Sequence, residues 1–418
     1  MKIFFSAGEP SGDIHGANLI RALRRAQPSI EAVGYGGPEM AAAGCTLHAD
    51  LTKLAVMWFA RVLANFHWFL SLAGRADRYF RHARPDAVVL IDYPGFNWWI
   101  ARRAKAHGIP VFYYCPPQLW AWGGWRIAKM RRTVDHVLCA LPFETPWYAE
   151  RGCRSTFVGH PFFDEVREHR LDAAFVDELT RDQRRLVAIL PGSRTQEVTQ
   201  NLPQFLAAAS LIHAVVPEVR FAVAAYQPHQ AALARQAIAA HGAALPIEVF
   251  VRKTPEIVGA AECCLAVSGS VSLELLYHQK PTVILYHISP LAYRVQQFFR
   301  RVRYITLVNL LAASDRFRLD PPYDPDGPGA EEVLFPEYLT ALDRSRQMAG
   351  HAIGWLCDEA RRQALVARLG ELKAAVGHGG ASRQAAGIIL AELADRPVPA
   401  ARPHVSAAEF ATIERAAA

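Results

Sequence analysis

Two short segments rich in glycine and serine each follow an apolar run and precede a helical pattern. The first is Leu186–Arg194 and the second is Leu265–Glu274. A helix that begins after such a loop exposes unpaired backbone N–H groups with partial positive charge, which suits a phosphate, and Arg194 could add a bidentate contact. Either loop alone is more often an ordinary helix cap, but the pair favours a nucleotide diphosphate. The residues predicted to bind this nucleotide are Gly192, Ser193, Arg194, Ser268, Gly269, Ser270 and Glu274.

Two segments nearer the N-terminus carry candidate polar and acid–base groups. Gly8–His15 follows the first apolar run, and its backbone N–H groups could receive an anionic or hydroxyl-bearing ligand. The alternative is a plain helix start with Ser11 or Asp13 as the N-cap. Asp92 ends another apolar run, where a carboxylate can act as a general base, although an Asp before Pro-Gly is about as often a turn former. His15 is the competing base, because histidine titrates near neutral pH.

Large apolar side chains recur at helical spacing over Leu54–Leu72, and several arginines follow. A stripe of this kind is more often part of a core. Here it is interleaved with polar residues, and this pattern is typical of a helix that lies in a membrane interface. Leu291–Tyr304 repeats the combination of aromatic and arginine residues. The side chains predicted to contact a membrane are Trp58, Phe59, Val62, Leu63, Phe66 and Phe69.

These residues must be positioned by helices and strands. Apolar runs alternate with helical patterns almost throughout the chain. The alternation predicts an α/β protein with two Rossmann-like, doubly wound parallel sheets. Ligands of such folds bind beyond the carboxyl ends of the strands, so we expect the chemistry in a cleft between two domains. The predicted strands are Ile3–Ser6, Ala87–Ile91, Val111–Tyr114, Val137–Ala140, Leu186–Leu190, Arg220–Ala224, Glu248–Phe250, Cys264–Val267 and Thr282–Tyr286.

The pattern is interrupted near Gly159–Arg170, and this predicts a domain boundary. We expect domains at residues 1–165 and 166–345, further helices over 346–395, and a loose tail over 396–418.

The composition is that of a globular protein with an arginine-rich surface. The 418 residues are 51% hydrophobic and 20% charged, and the net charge is +7. Because arginine prefers phosphates and anionic headgroups, acidic substrates or a membrane surface fit as partners, and no nucleic-acid recognition motif is present. The seven cysteines are expected to be reduced thiols, and no His, Cys and carboxylate cluster has metal-ligand spacing. We expect neither a signal peptide nor a membrane-spanning helix, because the apolar runs are too short.

Several strings taken together resemble the lipid-A-disaccharide synthase family. They occur in the family's order over roughly Ile3–Leu390, and the ordered set is far more specific than any one motif. The strings are Gly8–Asp13, Ala55–Met57, Ile91–Asp92 with Phe96–Asn97, Trp120–Trp122, Leu141–Glu144, Gly159–His160, Leu190–Arg194, Ser268–Ser270 with Leu273–Glu274, and Asn309–Leu311.

The resemblance implies a two-domain glycosyltransferase fold of the B type that uses no metal or other cofactor. It implies transfer from UDP-2,3-diacylglucosamine to 2,3-diacylglucosamine 1-phosphate with inversion, which gives a β(1→6)-linked disaccharide 1-phosphate and UDP. Residues 1–165 would bind the acceptor and face the membrane, and residues 166–345 would bind the UDP-sugar. Peripheral attachment to the inner face of the inner membrane and a homodimer with exchanged C-terminal segments are also implied. The helices of 346–395 would either be exchanged in this way or pack back on their own chain. In the family, the residues matching Glu9, Ser11, Asp92, Arg194 and Asn309 are needed for activity.

From these matches we expect Asp92 to take the proton of the acceptor hydroxyl, and Arg194 with the serine loops to stabilise the leaving diphosphate. Glu274 would accept hydrogen bonds from the ribose, and Glu9 and Ser11 would orient the acceptor. Two alternatives stay open: another UDP-sugar transferase or an epimerase on the same fold, and a non-catalytic nucleotide sensor at a membrane surface. The aromatic and arginine-rich helix favours a lipid acceptor over an epimerase, and Asp92 argues against a sensor.

Overall fold

The computed structural model describes residues 1–52, 66–314, 316–317, 324, 327 and 330–395. The chain forms two units, which are described separately. The first consists of Met1–Asp164 with the segment that begins at Gly379, and the second of Glu165–His378.

The inner strands of the sheet in the first unit are covered on both faces, so most of them read as continuous apolar runs, whereas the two edge strands are only partly buried. Its strand order is β3-β2-β1-β4-β5-β6-β7, and the pairs of neighbouring strands are parallel. The order reverses between β1 and β4, whose last residues Ala7 and Ile91 are paired. The strands are β1 (Lys2–Ala7), β2 (Glu31–Gly36), β3 (Thr46–Asp50), β4 (Ala87–Ile91), β5 (Val111–Tyr114), β6 (His136–Cys139) and β7 (Ser155–Phe157).

The sheet of the second unit repeats this topology. Its order is β10-β9-β8-β11-β12-β13, again with parallel neighbours. The order reverses between β8 and β11, where Leu190 pairs with Ala266. The strands are β8 (Arg185–Leu190), β9 (Val219–Ala225), β10 (Ile247–Val251), β11 (Cys263–Val267), β12 (Thr282–His287) and β13 (Glu337–Thr340).

Helices connect the strands. In the first unit they are α1 (Pro10–Ala26), α2 (Pro38–Ala42), α3 (Phe66–Ala83), α4 (Pro94–Ala106), α5 (Ile127–Thr133) and α6 (Glu144–Ala149), and α7 (Phe162–Glu168) spans the boundary. In the second unit they are α8 (Ala173–Arg181), α9 (Thr195–Val215), α10 (Pro228–His241), α11 (Thr254–Ala260), α12 (Val271–Tyr277), α13 (Pro290–Phe299), α14 (Leu307–Ala312), α15 (Ser345–Cys357) and α16 (Glu359–Val376).

The last helix, α17 (Ala381–Ala394), returns to the first unit and packs against α1. Its Ala385 and Ile389 are fully buried in the same core as Ile20 of α1. The backbone N–H of Ser382 donates to the carboxylate of Asp164 over 3.2 Å, which fixes the start of this helix. The C-terminal segment is therefore part of the hydrophobic core of the first unit.

The prediction of two doubly wound parallel sheets is confirmed, and each predicted strand is present. Four further strands were not predicted. They are β2, β3, β7 and β13.

Candidate active site

The first group of candidate residues lies where the strand order of the first sheet reverses. β1 is followed by Gly8 and Glu9, and β4 is followed by Asp92 and Tyr93. Because β1 and β4 are neighbours, the two loops lie side by side, and open α/β sheets bind their ligands at such a point. A Cβ added to Gly8 would lie 2.2 Å from the Tyr93 ring. Only glycine therefore allows this contact between the loops.

The backbone at Asp92 is strained, because Asp92 and Tyr93 both adopt left-handed conformations with φ of 43° and 46°. Two buried side chains hold the turn. The amide of Asn97 donates to the Asp92 carbonyl over 2.7 Å, and the Tyr113 hydroxyl donates to the same oxygen over 2.7 Å. The Asn97 amide oxygen also accepts from the Ser6 hydroxyl, which ties this turn to β1. The position of the Asp92 carboxylate is thus determined by packed side chains.

The Asp92 carboxylate sits in a protected environment near His15. Burial raises its pKa above the ordinary value, and the Tyr93 N–H and the nearby His15 lower it in part. His15 is itself buried, and its ring lies 6.1 Å from that of His160. Burial and the proximity of His15 lower the pKa of His160 to about 3, so His160 is neutral near pH 7. A carboxylate with a raised pKa is suited to proton transfer.

The two other catalytic candidates in this loop lie at the start of α1. Glu9 is the N-cap residue, and Ser11 is exposed in the first turn. The alternative that Ser11 or Asp13 caps α1 is wrong, because the helix already begins at Pro10. Asp13 instead accepts the backbone N–H groups at the start of α2, from Gly37 at 2.8 Å and from two further residues. Ser11 is therefore not used as a cap.

An exposed aromatic and cationic cluster was missed by sequence reasoning. Trp122 and Trp125 are 60% and 74% exposed, and the Arg126 guanidinium lies 5.8 and 5.4 Å from their ring centroids. The Lys129 ammonium lies 5.7 Å from the Trp125 ring. The Nε of Arg126 is buried without a hydrogen-bond partner. The Trp120–Trp122 string was a motif of the resemblance, but the later basic residues carried no signal of their own.

In the second unit, the predicted nucleotide loops also lie where the strand order reverses. The Gly192 loop follows β8 and precedes α9, and the Ser268 loop follows the neighbouring strand β11 and precedes α12. Gly192 has a φ of +117°, a conformation that favours glycine. The Ser268 hydroxyl donates to the carbonyl of Ile305 over 2.9 Å. The structure therefore brings the two loops to one edge of the sheet.

The N-terminus of α9 already holds a carboxylate. One oxygen of Glu197 accepts the backbone N–H groups of Ser193 and Arg194 at 3.1 and 3.2 Å, and the other pairs with the Arg194 guanidinium at 3.0 Å. A Cβ on Gly192 would lie 2.5 Å from this carboxylate. The Arg194 side chain is 73% exposed. Glu197 thus occupies the position of an anionic ligand, and the spacing of the loop gave no sign of it.

Glu274 lies buried on the first turns of α12. Burial, followed by the charge of Glu256, raises its pKa to about 7. A buried carboxylate that is readily protonated can exchange hydrogen bonds with hydroxyl groups, as the predicted ribose contact requires.

Asn309 is 2% exposed, and its amide is fully engaged. It donates to the Phe335 carbonyl over 2.7 Å and to Glu337 over 2.8 Å, and it accepts from the Phe335 N–H. Glu337 in turn accepts the N–H of Ile305 over 2.7 Å, and Ile305 contacts Ser268. Asn309 is therefore connected to the Ser268 loop by hydrogen bonds that run through Glu337 and Ile305. Glu337 is a residue that sequence reasoning missed.

Much of the predicted membrane stripe lies outside the described residues, namely Trp58, Phe59, Val62, Leu63 and the side chain of Phe66. Phe69 is described and half-buried, and its ring lies 5.7 Å from that of Phe96. In the described part of the chain, no helix has the length and apolar character needed to cross a bilayer. No group of three or more His, Cys, Asp and Glu side chains there is placed to hold a metal ion.

Comparison with known proteins gives a consistent result. A family model described as lipid-A-disaccharide synthetase matches residues 3–318. A lipid-A-disaccharide synthase of Trichlorobacter lovleyi is 34% identical over 401 residues, which cover 93% of this chain and 97% of that protein. Another from Geobacter metallireducens is 33% identical over 396 residues, covering 93% and 96%. Among solved structures, the S. aureus MnaA–UDP co-structure has a TM-score of 0.64 at 12% identity, covering 95% of this chain and 98% of that one, and so shares the fold.

Proposed function

The chain belongs to the lipid-A-disaccharide synthetase family, whose members are glycosyltransferases, and we propose that it joins UDP-2,3-diacylglucosamine to 2,3-diacylglucosamine 1-phosphate through a β(1→6) bond. The acceptor's 6-oxygen bonds to the anomeric carbon of the donor, and the bond from that carbon to the diphosphate oxygen breaks. Its electron pair leaves with UDP, and the hydroxyl proton passes to Asp92. Because attack comes from the face opposite UDP, the configuration inverts.

The observation that carries the proposal is the Asp92 turn. Its strained backbone is held by Asn97 and Tyr113, and the carboxylate has a raised pKa at the point where ligands of this fold bind. Strain of this kind persists only where surrounding structure enforces it, and it clusters at functional sites. A turn former would need neither the burial nor the two hydrogen bonds.

The loops of the second unit provide the positive potential that a departing diphosphate needs. Ser193 and Arg194 have N–H groups that point at one anionic position, and the Arg194 guanidinium joins them there. In our proposal the diphosphate displaces the Glu197 carboxylate from this position, and Arg194 then stabilises the charge that develops on UDP. Ser268 to Ser270 form the facing loop, and Glu274 receives the ribose hydroxyls.

The acceptor carries a phosphate of its own, for which the first unit offers a cationic site. Arg126 and Lys129 lie against the exposed rings of Trp122 and Trp125, and such rings also pack on the apolar faces of sugars. We assign these residues to the 1-phosphate and sugar of the acceptor, while Glu9 and Ser11 orient its hydroxyl groups.

The proposal includes peripheral attachment to the inner face of the inner membrane through the stripe that ends at Phe69. It also includes a homodimer in which the C-terminal segment is exchanged. The contacts of α17 with α1 would then be made by the partner's segment, and light scattering would report the dimer.

The deciding experiment is incubation of the protein with both substrates and detection of the disaccharide 1-phosphate by mass spectrometry. Product with the wild-type chain and none with Asp92→Asn would support the assignment. Hydrolysis or epimerisation of the donor without disaccharide would refute it.

A further inference from the structure

Helix α13 exposes an apolar face. The helix has ten residues, none of which is buried. Leu291, Val295 and Phe298 are 73%, 50% and 75% exposed, and their spacing places them on one side of the helix. Phe299, next to them, is 57% exposed. A helix this short is marginal in water by itself, so a partner that covers this face would stabilise it.

The surroundings of this helix are strongly basic. The segment from Ile288 to Tyr304 contains four arginines and no Asp or Glu. Three of them, Arg294, Arg300 and Arg303, line a cavity of about 300 Å³, and Arg344 lines it from the start of α15. The rim of exposed aromatic and aliphatic side chains thus adjoins a cationic cavity, and these two features together are typical of proteins that bind anionic lipid surfaces.

Four arginines and one glutamate are among the described residues that line the cavity. Among the lining residues that the structure describes, Glu337 is the only acid, and it accepts hydrogen bonds from Ile305, Thr306 and Asn309. The Nε of Arg344 is buried without a partner. Burial lowers the pKa of Arg300, and the charges of Glu337 and Tyr293 oppose this shift. A phosphate in the cavity would add a further negative charge beside the arginines.

We propose that α13 and this cavity bind an anionic phospholipid surface. The headgroup phosphate enters the arginine-lined cavity, and Leu291, Val295, Phe298 and Phe299 enter the boundary with the acyl chains. Charge complementarity selects this occupant over a second copy of the chain. A symmetric contact between two α13 helices would bring the same arginines of both copies together, and like charges across an interface are unfavourable.

This surface adjoins the predicted donor site. Ile305 lines the cavity, and its carbonyl accepts the Ser268 hydroxyl over 2.9 Å. A lipid surface here would let the donor's acyl chains stay in the bilayer while its nucleotide reaches the Ser268 loop. This consequence rests on the proposed function, whereas the lipid site itself does not.

The test is sedimentation of the full chain with vesicles of phosphatidylcholine alone or of equimolar phosphatidylcholine and phosphatidylglycerol. We expect the wild type to prefer the anionic vesicles, and we expect Arg294→Gln/Arg303→Gln to weaken that binding about 30-fold, since each basic residue near an anionic surface contributes roughly a five-fold factor. Leu291→Ser/Phe298→Ser should weaken binding to both vesicles. The matched control is Leu211→Ser/Val215→Ser, which removes exposed apolar side chains from α9 and should bind as wild type.

The variants are also made in a Trp58→Ser/Phe59→Ser background, so that binding through the first unit does not mask the effect. Unchanged anionic-vesicle binding of both α13 variants in this background would overturn the proposal, as would a change in light-scattering mass without a change in vesicle binding. Calorimetry with UDP separates the two hypotheses. Lost vesicle binding with wild-type UDP affinity supports the lipid site, and absence of disaccharide product in a chain whose vesicle binding depends on α13 would refute only the proposed function.

Discussion

The two sheets of this protein have the same strand order around their first strand, yet the loops at their switch points differ in physical character. In the first unit, the loop after β4 carries a buried carboxylate on a strained backbone, fixed by Asn97 and Tyr113. In the second, the loops after β8 and β11 are largely exposed and rich in glycine and serine, and in the loop after β8 the N–H groups of Ser193 and Arg194 converge on one anionic position. The shared topology sets the location of a site, and the loop residues set its chemistry.

From this difference we expect separate tasks at the two edges. Burial raises the pKa of a carboxylate and so prepares it for proton transfer, whereas exposed N–H groups and an arginine bind an anion. Substitutions at the first edge should therefore change turnover or acceptor binding and leave UDP affinity unchanged. Substitutions at the second should change UDP affinity.

The largest effect is expected for Asp92→Asn, which keeps the shape of the side chain but cannot accept a proton. General-base catalysis contributes about 10²- to 10⁴-fold, so disaccharide turnover should fall by that order while UDP affinity by calorimetry stays at the wild-type value. His15→Gln is the comparison, because His15 is the neighbouring base. A nearly active Asp92→Asn enzyme beside an inactive His15→Gln enzyme would transfer the base role to His15.

The same substitution is also expected to change the thermal stability of the protein. Because the folded-state pKa of Asp92 is raised, the protonated form is favoured by folding, and stability is lost as pH rises through that pKa. At neutral pH the buried charge therefore costs stability, and Asp92→Asn should have a higher Tm than the wild type. The gain should disappear below the unfolded pKa of Asp, about 3.9. A lower Tm at neutral pH would mean that the carboxylate stabilises the turn.

The second largest effect is expected for Arg194→Ala. A hydrogen bond to a charged group contributes about 1.5–3 kcal/mol, so UDP should bind roughly ten- to a hundred-fold more weakly. Arg184→Ala is the matched control, because Arg184 precedes β8 at the opposite edge of the sheet and pairs with Asp182. Wild-type UDP affinity in a folded Arg194→Ala protein would remove Arg194 from the nucleotide site.

The two parallel sheets and the positions of these loops could be predicted from the sequence, because most buried parallel strands read as continuous apolar runs and the loops follow their ends. The strands it missed show why patterns fail. β2 contains two glycines, which a strand pattern does not favour. Only glycine fits at position 34, because a Cβ there would lie 2.1 Å from the Phe5 carbonyl oxygen. β13 carries the polar residues Glu337 and Thr340 in buried positions. A polar residue in a strand reads as exposed until its partners are known.

The partners of the site residues were beyond sequence reasoning for the same reason. Tyr113 belongs to a buried strand and reads as core, yet its hydroxyl holds the Asp92 carbonyl. Glu337 falls in a segment for which no strand was predicted, yet it links Asn309 to Ile305. Contacts between residues far apart in the chain fix these roles, and periodicity carries no information on them. The roles of Asp92, Glu9, Ser11, Arg194 and Asn309 stay predictions.

A smaller effect at the first edge is expected for Arg126→Gln. If Arg126 binds the acceptor phosphate, the KM for the acceptor should rise about ten-fold, with kcat and UDP affinity little changed. This is the low end of the range for a hydrogen bond to a charged group, because the site is partly exposed. Arg103→Gln is the control, since Arg103 lies 5.7 Å from the ring centroid of Trp99 in a comparable stack on α4. Equal effects of both substitutions on KM would point to general surface charge.

The smallest effect, and the sharpest test of the second edge, is expected for Glu197→Gln. A carboxylate at a helix N-terminus typically contributes about 0.3–1 kcal/mol, and a diphosphate that displaces it must give up that interaction, so the neutral variant should bind UDP about two- to five-fold more tightly. Glutamine can still accept the Ser193 and Arg194 N–H groups as part of a capping box, so the helix start is retained. Glu218→Gln makes the same change in net charge on an exposed side chain of the second unit and should leave UDP affinity as in the wild type. Weaker UDP binding by Glu197→Gln would show that the carboxylate shapes the loop for the nucleotide and does not compete with it. Arg194 would then be the only evidence on which the contrast between the two edges depends.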